Sequence, residues 1–343
     1  MTFSVPLSAK PHSQGRSKSC PRQARLDAPG TLHHVIVRGL ERGAIARDDT
    51  DRAAFVTRLG ELAQATGTRV YAWALLPNHA HLLLRSGPAG LPRFMRRLLT
   101  GYAITFNLRH KRVGHLFQNR YKSIVCEEDA YFRELVRYIH LNPLRAGLVA
   151  ALRGLDRYPW CGHATLVGRI PRPWQDRRTV LAWFGPTEAR AVRAYGEYMK
   201  DGIPLGRRPD LVGGGLVRSA GGWAEDRAMR QRTDRMAADP RILGNGEFVE
   251  QMLQEARPRL LAETQRRRSA REAAAATHAA CQREGCTPEE LGAGSRRGHI
   301  PLLRATLARH LVTKLGLSLA ETARRLGVST SAISRIVRKS EEK

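Results

Sequence analysis

The stretch Leu75–Leu84, LLPNHAHLLL, limits what this chain can fold into more than any other. Pro77-Asn78 is a tight-turn signal between two apolar runs, so Val70–Leu76 and His79–Arg85 are predicted to form the two strands of a hairpin. Strand side chains alternate between faces. His79, His81 and Leu83 therefore point one way, and Ala80, Leu82 and Leu84 the other. Two imidazoles on one face of a buried strand need partners, because an unpartnered polar ring in a core is costly. Core hydrogen bonds are one solution and a metal ion is another.

Periodicity around the hairpin predicts the rest of a domain. His33–Arg38 (HHVIVR) reads as a strand and Thr50–Ala65 as an amphipathic helix with Phe55, Leu59 and Leu62 on one side. In Leu91–Arg109 the residues Leu91, Phe94, Met95, Leu98, Tyr102 and Phe106 repeat at helical spacing, with Arg93, Arg96 and Arg97 elsewhere on the surface. Ser123–Cys126 is a short strand, and Asp129–Leu141 a helix stopped by Pro143. The order β-α-β-β-α-β plus a helix predicts an α+β, ferredoxin-like antiparallel sheet with helices on one face, over residues 26–160. A basic disordered tail is expected at 1–25, a partly structured connector at 161–245, and an all-α domain at 246–343. Within the connector, Leu211, Val212, Leu216 and Trp223 are not linker residues, although Gly213–Gly215 and Gly221-Gly222 accompany them.

Charge points to the partner. Fifty-eight Lys and Arg against 31 Asp and Glu give a formal charge of +27 on 343 residues, which attracts polyphosphate backbones at long range. No apolar run approaches the ~20 residues that span a membrane, and the first 25 residues lack the apolar core of a secretory signal. The five cysteines form no CxxC pair, so reduced thiols in a cytoplasm are expected, with neither a zinc ribbon nor a disulfide framework.

A helix-turn-helix is predicted at residues 318–338. Ser318 and Glu321 have capping-box spacing, Gly327-Val328-Ser329 makes the turn, and a second helix follows with Ile333, Ile336 and Val337 inward. That helix would offer Thr330, Ser331, Ser334 and Arg335 to a major groove, with Arg338 and Lys339 near phosphates. An ordinary helical hairpin packed on its neighbours is the competing reading.

A metal site on His79 and His81 needs further groups, and Asp129–Asn142 supplies them: Tyr138 and Asn142 stand four residues apart. A tyrosine hydroxyl has a pKa near ~10 and is a poor nucleophile unless assisted. Beside a divalent ion that polarises a scissile phosphate it can attack phosphorus, and the phosphotyrosine conserves the energy of the broken diester. Tyr102 and Tyr121 are rival nucleophiles by residue type. Tyr102 lies on the apolar stripe of its helix, while Tyr121, between Arg120 and Lys122, suits a DNA backbone or a stacked base. His115, Gln118, Arg120 and Lys122 form a basic loop assigned to DNA near the site. Arg38 is a further DNA-binding candidate, and His140 reads as structural.

LLPNHAHLLL, GHLFQNRYKS (Gly114–Ser123), DAYFRELVRYIHLNPLRAGLV (Asp129–Val149) and HHVIVRGLERGAIARDD (His33–Asp49) together resemble the REP-associated tyrosine transposases of the single-tyrosine HUH superfamily. The resemblance covers about residues 26–160, and the C-terminal helices resemble an extension some members carry. It implies that His79 and His81 are metal ligands with Asn142 as the third, that Tyr138 is the nucleophile, and that Mg²⁺ or Mn²⁺ is the ion. It also implies cleavage and joining of hairpin-bearing single-stranded DNA through a 5′-phosphotyrosine. Leu40 departs from the family pattern by replacing an asparagine in RGLER. The expected setting is a bacterial cytoplasm at the nucleoid, as a monomer or homodimer. A DNA-binding regulator with an idle domain and a hydrolytic metal-dependent nuclease are the alternatives.

Overall fold

In the computed structural model, residues 25–118, 120–206, 208–211, 239–295 and 297–338 are described. The tail to residue 24, the glycine stretches of the connector with Val212, Leu216 and Trp223, and Lys339 lie outside them.

Strands β1 (Leu32–Arg38), β2 (Arg69–Leu75), β3 (His79–Arg85) and β4 (Lys122–Cys126) form an antiparallel sheet in the order β2-β3-β1-β4. The Pro77-Asn78 turn closes with Leu76 N–H donating to the His79 carbonyl at 2.8 Å. At Tyr71 the β2–β3 register shifts, so Tyr71 and Ala72 enter the same core while Val70 and Trp73 enter the other.

Helix α1 (Asp49–Thr66) starts where the Asp48 carboxylate accepts from Asp51 N–H at 3.0 Å, and ends at Gly67 in the left-handed region, φ 64°. With α2 (Leu91–Arg109) it covers one sheet face, burying Val35, Trp73, Leu82 and Leu84 against Phe55, Leu59, Phe94 and Leu98.

The expectation of helices on one face needs correction, because the sheet is covered on both. Helix α3 (Glu128–His140) lays Phe132, Leu135, Val136 and Ile139, at helical spacing, over Ala72, Ala74 and Leu83. The apolar residues of this second face would otherwise meet water, so it requires its own cover.

That cover continues into the stretch expected as connector. After the short helices α4 (Asn142–Arg145) and α5 (Leu152–Leu155) come α6 (His163–Leu166), α7 (Arg177–Ala182) and α8 (Glu188–Asp201). Leu166, Val180, Leu181, Tyr195 and Met199, and then Leu211, share the core of α3. Short helices give weak periodicity, which is why the sequence pattern fades there. A fifth strand, β5 (Ile242–Leu243), adds in parallel to β4.

Helix α9 (Gly246–Arg283) begins at an Asn245 cap that accepts from Phe248 N–H at 2.8 Å, and buries Val249 with Leu26, Val125 and Ile242. Its far end joins a separate helical core. There Ala273, Ala280 and Cys281 meet α10 (Pro288–Gly292), α11 (Ile300–Arg309), α12 (Leu319–Leu326) and α13 (Thr330–Arg338). Buried Arg304 ties this core together, donating to the carbonyls of Leu326 and Leu291 at 2.9 and 3.0 Å. Gly327 turns α12 into α13 at φ 64°, and a Cβ there would lie 1.8 Å from the Gly292 carbonyl oxygen, so only glycine fits.

Only half of the expected capping box forms. Ser318 Oγ accepts from Glu321 N–H at 3.2 Å, but the Glu321 carboxylate turns to Arg324 and Arg325, which compete as charged donors. A complete box stands instead at Thr287 and Glu290. Ile333 is fully buried, with Ile336 and Val337 packed beside it. Among the described residues Cys161, Cys281 and Cys286 are free thiols.

Candidate active site

The alternation that places His79 and His81 on one face of β3 also places His34, Ile36 and Arg38 on the same face of β1. Ile36 pairs with His81 and Arg38 with His79 across the ladder. Tyr138, near the end of α3, reaches down to this face. Its ring centroid lies 5.6 Å from that of His81 and 5.8 Å from that of His34, edge-on to both. Asn142 follows the break at Leu141 and its amide donates to the Tyr138 carbonyl at 2.9 Å, so the C-terminus of α3 is tied down beside the tyrosine. Together they line a cavity of about 430 Å³, with Arg38, Arg145 and Arg208 also on its wall.

Hydrogen-bond partners fix which nitrogen of each histidine carries its proton. The Asn78 amide donates to the Arg42 carbonyl at 3.1 Å, so its oxygen faces His79 Nδ1 at 2.7 Å and must accept. His79 Nδ1 therefore holds the hydrogen. A longer relay serves His81. The Leu211 carbonyl can only accept, so His34 Nδ1, at 3.1 Å, donates to it; His34 Nε2 then accepts from His81 Nδ1 at 3.0 Å. In both residues Nε2 is left with a lone pair.

Burial keeps these rings neutral. It lowers His79 to about 4, with Arg38 adding repulsion. It lowers His81 well below the usual histidine value, with His34, His79 and Arg38 adding to the effect.

This donor set fits a divalent ion. His79 Nε2 and His81 Nε2 are basic lone pairs, and the Asn142 carboxamide oxygen is a third donor because its nitrogen is committed to the backbone. No cluster of three His, Cys, Asp or Glu that could hold a metal exists among the described residues, so an ion held here would need that carboxamide. Among the described residues no carboxylate lines the cavity, whereas Arg38, Arg145 and the ion-paired Arg208 do. Such a site is cationic and suited to an anionic ligand such as a phosphodiester.

Sequence reasoning missed two participants. His34 orients His81, and nothing in HHVIVR says that β1 lies beside β3. Arg145 holds its guanidinium carbon 5.5 Å from the Tyr138 ring centroid, half-buried, with Nη2 donating to the Gly202 carbonyl at 3.3 Å. It lies within the NPLRAGL motif, where spacing alone gave it no partner. Arg208 is held on the cavity wall by Glu134 and Asp210 at 2.9 and 2.7 Å.

The basic loop divides. Lys122 pairs with Ile36 across the ladder and so shares the face of His81. Gln118 is exposed and its N–H donates to the Arg38 carbonyl at 2.8 Å. His115 and Arg120 instead line a different groove beside α2. Tyr121 is not available for stacking: it is buried in the α1–α2 core with the Arg25 guanidinium 3.8 Å above its ring. Tyr102 is also buried and donates to the Ile45 carbonyl at 2.6 Å, so neither rival tyrosine can serve as nucleophile. His140 is structural, as expected, fully buried with Nδ1 2.8 Å from the Tyr195 hydroxyl. Leu40 is exposed and bonds through its backbone N–H to the Leu116 carbonyl, which makes no demand on its side chain. In the terminal helices Thr330, Ser331, Arg335 and Arg338 are exposed and Ser334 is half-buried.

Paired histidines on β3, with a tyrosine delivered by α3, thus share one face of an α+β sheet. Residues 30–142, which hold all of these groups, match the family described as Transposase IS200 like. No curated protein matches the chain. Among solved structures, a REP-associated tyrosine transposase bound to a REP hairpin is similar at 16% identity and a TM-score of 0.37, covering 44% of this chain and 89% of that one. A putative transposase from Deinococcus radiodurans R1 is similar at 19% identity and a TM-score of 0.26, covering 34% and 92%.

Proposed function

We propose that this chain is a single-strand DNA endonuclease and strand transferase that uses Tyr138 as its nucleophile on hairpin-bearing DNA. The observation that carries the reading is the seating of Tyr138 against His81 and His34, in one cavity with His79 and Asn142 and within a single chain.

In this reading the Tyr138 oxygen attacks phosphorus and the bond to the 3′-oxygen breaks. A 5′-phosphotyrosine forms, and the phenolic proton passes through solvent to the departing 3′-hydroxyl. Attack by another 3′-hydroxyl reverses the step and joins strands with no nucleotide cofactor. His79, His81 and Asn142 would hold a divalent ion, Mg²⁺ or Mn²⁺, which would supply positive charge at the scissile phosphate. Arg145 stabilises the phenolate as its proton leaves, and Arg38 binds the strand at the mouth of the cavity. Thr330, Ser331, Ser334, Arg335 and Arg338 on α13 supply a helix-turn-helix contact to duplex DNA, which concentrates the enzyme at the nucleoid.

The test is a denaturing gel with labelled hairpin oligonucleotides and Mn²⁺, comparing the wild-type protein with Tyr138→Phe. A metal-dependent covalent adduct absent from the variant supports the proposal. Cleavage without an adduct, surviving Tyr138→Phe, establishes a hydrolytic nuclease, and tight binding without cleavage favours a regulator.

A further inference from the structure

On the sheet face opposite the catalytic cavity, α2 and the loop residues 114–117, 120 and 121 enclose a groove of about 950 Å³. Its floor is apolar, formed by Leu99, Ala103 and Phe117, and Ile104 stands 55% exposed at its side. Its rim is cationic. Arg93, Arg96 and Arg120 are exposed and enter no ion pair among the described residues. The carboxylate on the lining, Asp27, is already engaged, accepting from Leu91 N–H at 3.3 Å and lying 3.6 Å from His33 Nε2.

An apolar floor under a guanidinium rim matches single-stranded nucleic acid. Unpaired bases shed water onto aliphatic and aromatic side chains while their phosphates stay at the edge. A duplex keeps its bases stacked inside and would leave the floor wet. The groove also adjoins the catalytic cavity. Leu40 N–H donates to the Leu116 carbonyl at 3.0 Å and Gln118 N–H to the Arg38 carbonyl at 2.8 Å, so the loop that walls the groove is bonded to the end of β1. The Arg38 side chain lines the cavity on the other face. One backbone ridge separates the two.

We propose that this groove is a second nucleic-acid site, which holds the unpaired strand flanking the scissile phosphate after it crosses the end of β1. The choice of ligand rests on the reading of the chain as a single-strand DNA enzyme; the groove itself does not depend on Tyr138.

The test uses the full chain and a hairpin oligonucleotide whose single-stranded flank carries 4-thiothymidine. Ultraviolet cross-links are mapped to peptides, and Tyr138 adducts are scored on the same samples. Cross-links are expected within 92–107. Arg93→Glu/Arg96→Glu should remove them, weaken single-strand binding about tenfold, and flatten the slope of log K against log salt by about 1.4, from ~0.7 for each lost single-strand phosphate contact. Arg178→Glu/Arg190→Glu, the same charge change on exposed residues of α7 and α8, should leave cross-links and slope as in wild type.

A Tyr138 adduct without α2 cross-links, or equal effects of the two double variants, overturns the groove and leaves the catalytic reading standing. Cross-links in α2 without any adduct sustain the groove and overturn the catalytic reading. A protein that binds no single strand overturns both.

Discussion

The Tyr138 cavity and the terminal helix pair, both proposed here to meet DNA, present their side chains in two different ways. In the cavity, His34, His79, His81, Tyr138 and Asn142 come from β1, β3 and the α3–α4 junction, and each is oriented by hydrogen bonds or ring contacts to another. In α12 and α13, the exposed Thr330, Ser331, Arg335 and Arg338 lie within nine residues of one helix and are held only by the apolar positions between them. Bond-breaking demands geometry set by long-range pairing. Groove binding demands a face, and a short sequence makes a face. The two regions should therefore fail independently, and by different amounts.

The largest expected effect is on chemistry. Tyr138→Phe should reduce adduct formation by at least about 10³-fold, since removal of a nucleophile leaves only binding and electrostatics. Duplex affinity, measured by fluorescence anisotropy, should not change, and a parallel loss would break the proposed separation.

The converse substitution is Ile333→Ala. Truncating a fully buried residue should cost the helical core about 2–4 kcal/mol, read by thermal or urea unfolding. Duplex binding should fall while hairpin cleavage by the sheet domain persists.

His34→Phe sharpens the account of the cavity from within. Phenylalanine keeps the packing but cannot accept from His81 Nδ1. Mn²⁺ affinity by calorimetry should drop about 10–100-fold, and ¹⁵N spectra of His81 should show mixed tautomers. An unchanged affinity would make His34 a packing residue.

Acid should act on the sheet domain through buried histidines. His140, His79 and His81 have lowered pKa values when folded, so below the ordinary value of 6.5 the unfolded chain binds more protons than the native one. Stability should be highest above that pH and fall beneath it. Chemical denaturation from pH 7.5 to 5.5 measures the fall, and its absence would mean that these rings are solvated.

The smallest effect is expected on α13. Arg338→Ala should weaken duplex binding severalfold and lower the magnitude of its salt slope by about 0.9 if the residue meets a phosphate. Hairpin cleavage should be unaltered.

Much of this was legible in the chain. The HHVIVR strand, the two-strand hairpin and the long Arg-rich helix were readable because their apolar spacing repeats over a whole element, and β3 and α2 have the bounds the pattern implied. The tyrosine and asparagine were readable because four residues of separation keeps two side chains close even across the break at Leu141. The role of His34 was not readable, since it depends on β1 lying between β3 and β4. Nor was the burial of Tyr121 beneath Arg25, or the capture of the Glu321 carboxylate by two arginines.

The sequence by itself determined the local elements, the face of β3 that carries both histidines, and the turn at Gly327. These follow from side-chain period, turn chemistry and backbone sterics within a few residues. Only the tertiary structure decided that Leu211 and His34 set the tautomer of His81, that Arg145 lies beside Tyr138, and that His115 and Arg120 line a groove on the other face. Those relations join residues up to 177 positions apart, as in the bond from His34 to Leu211. Strand order and helix docking bring such residues within hydrogen-bonding distance, and no local pattern encodes that distance.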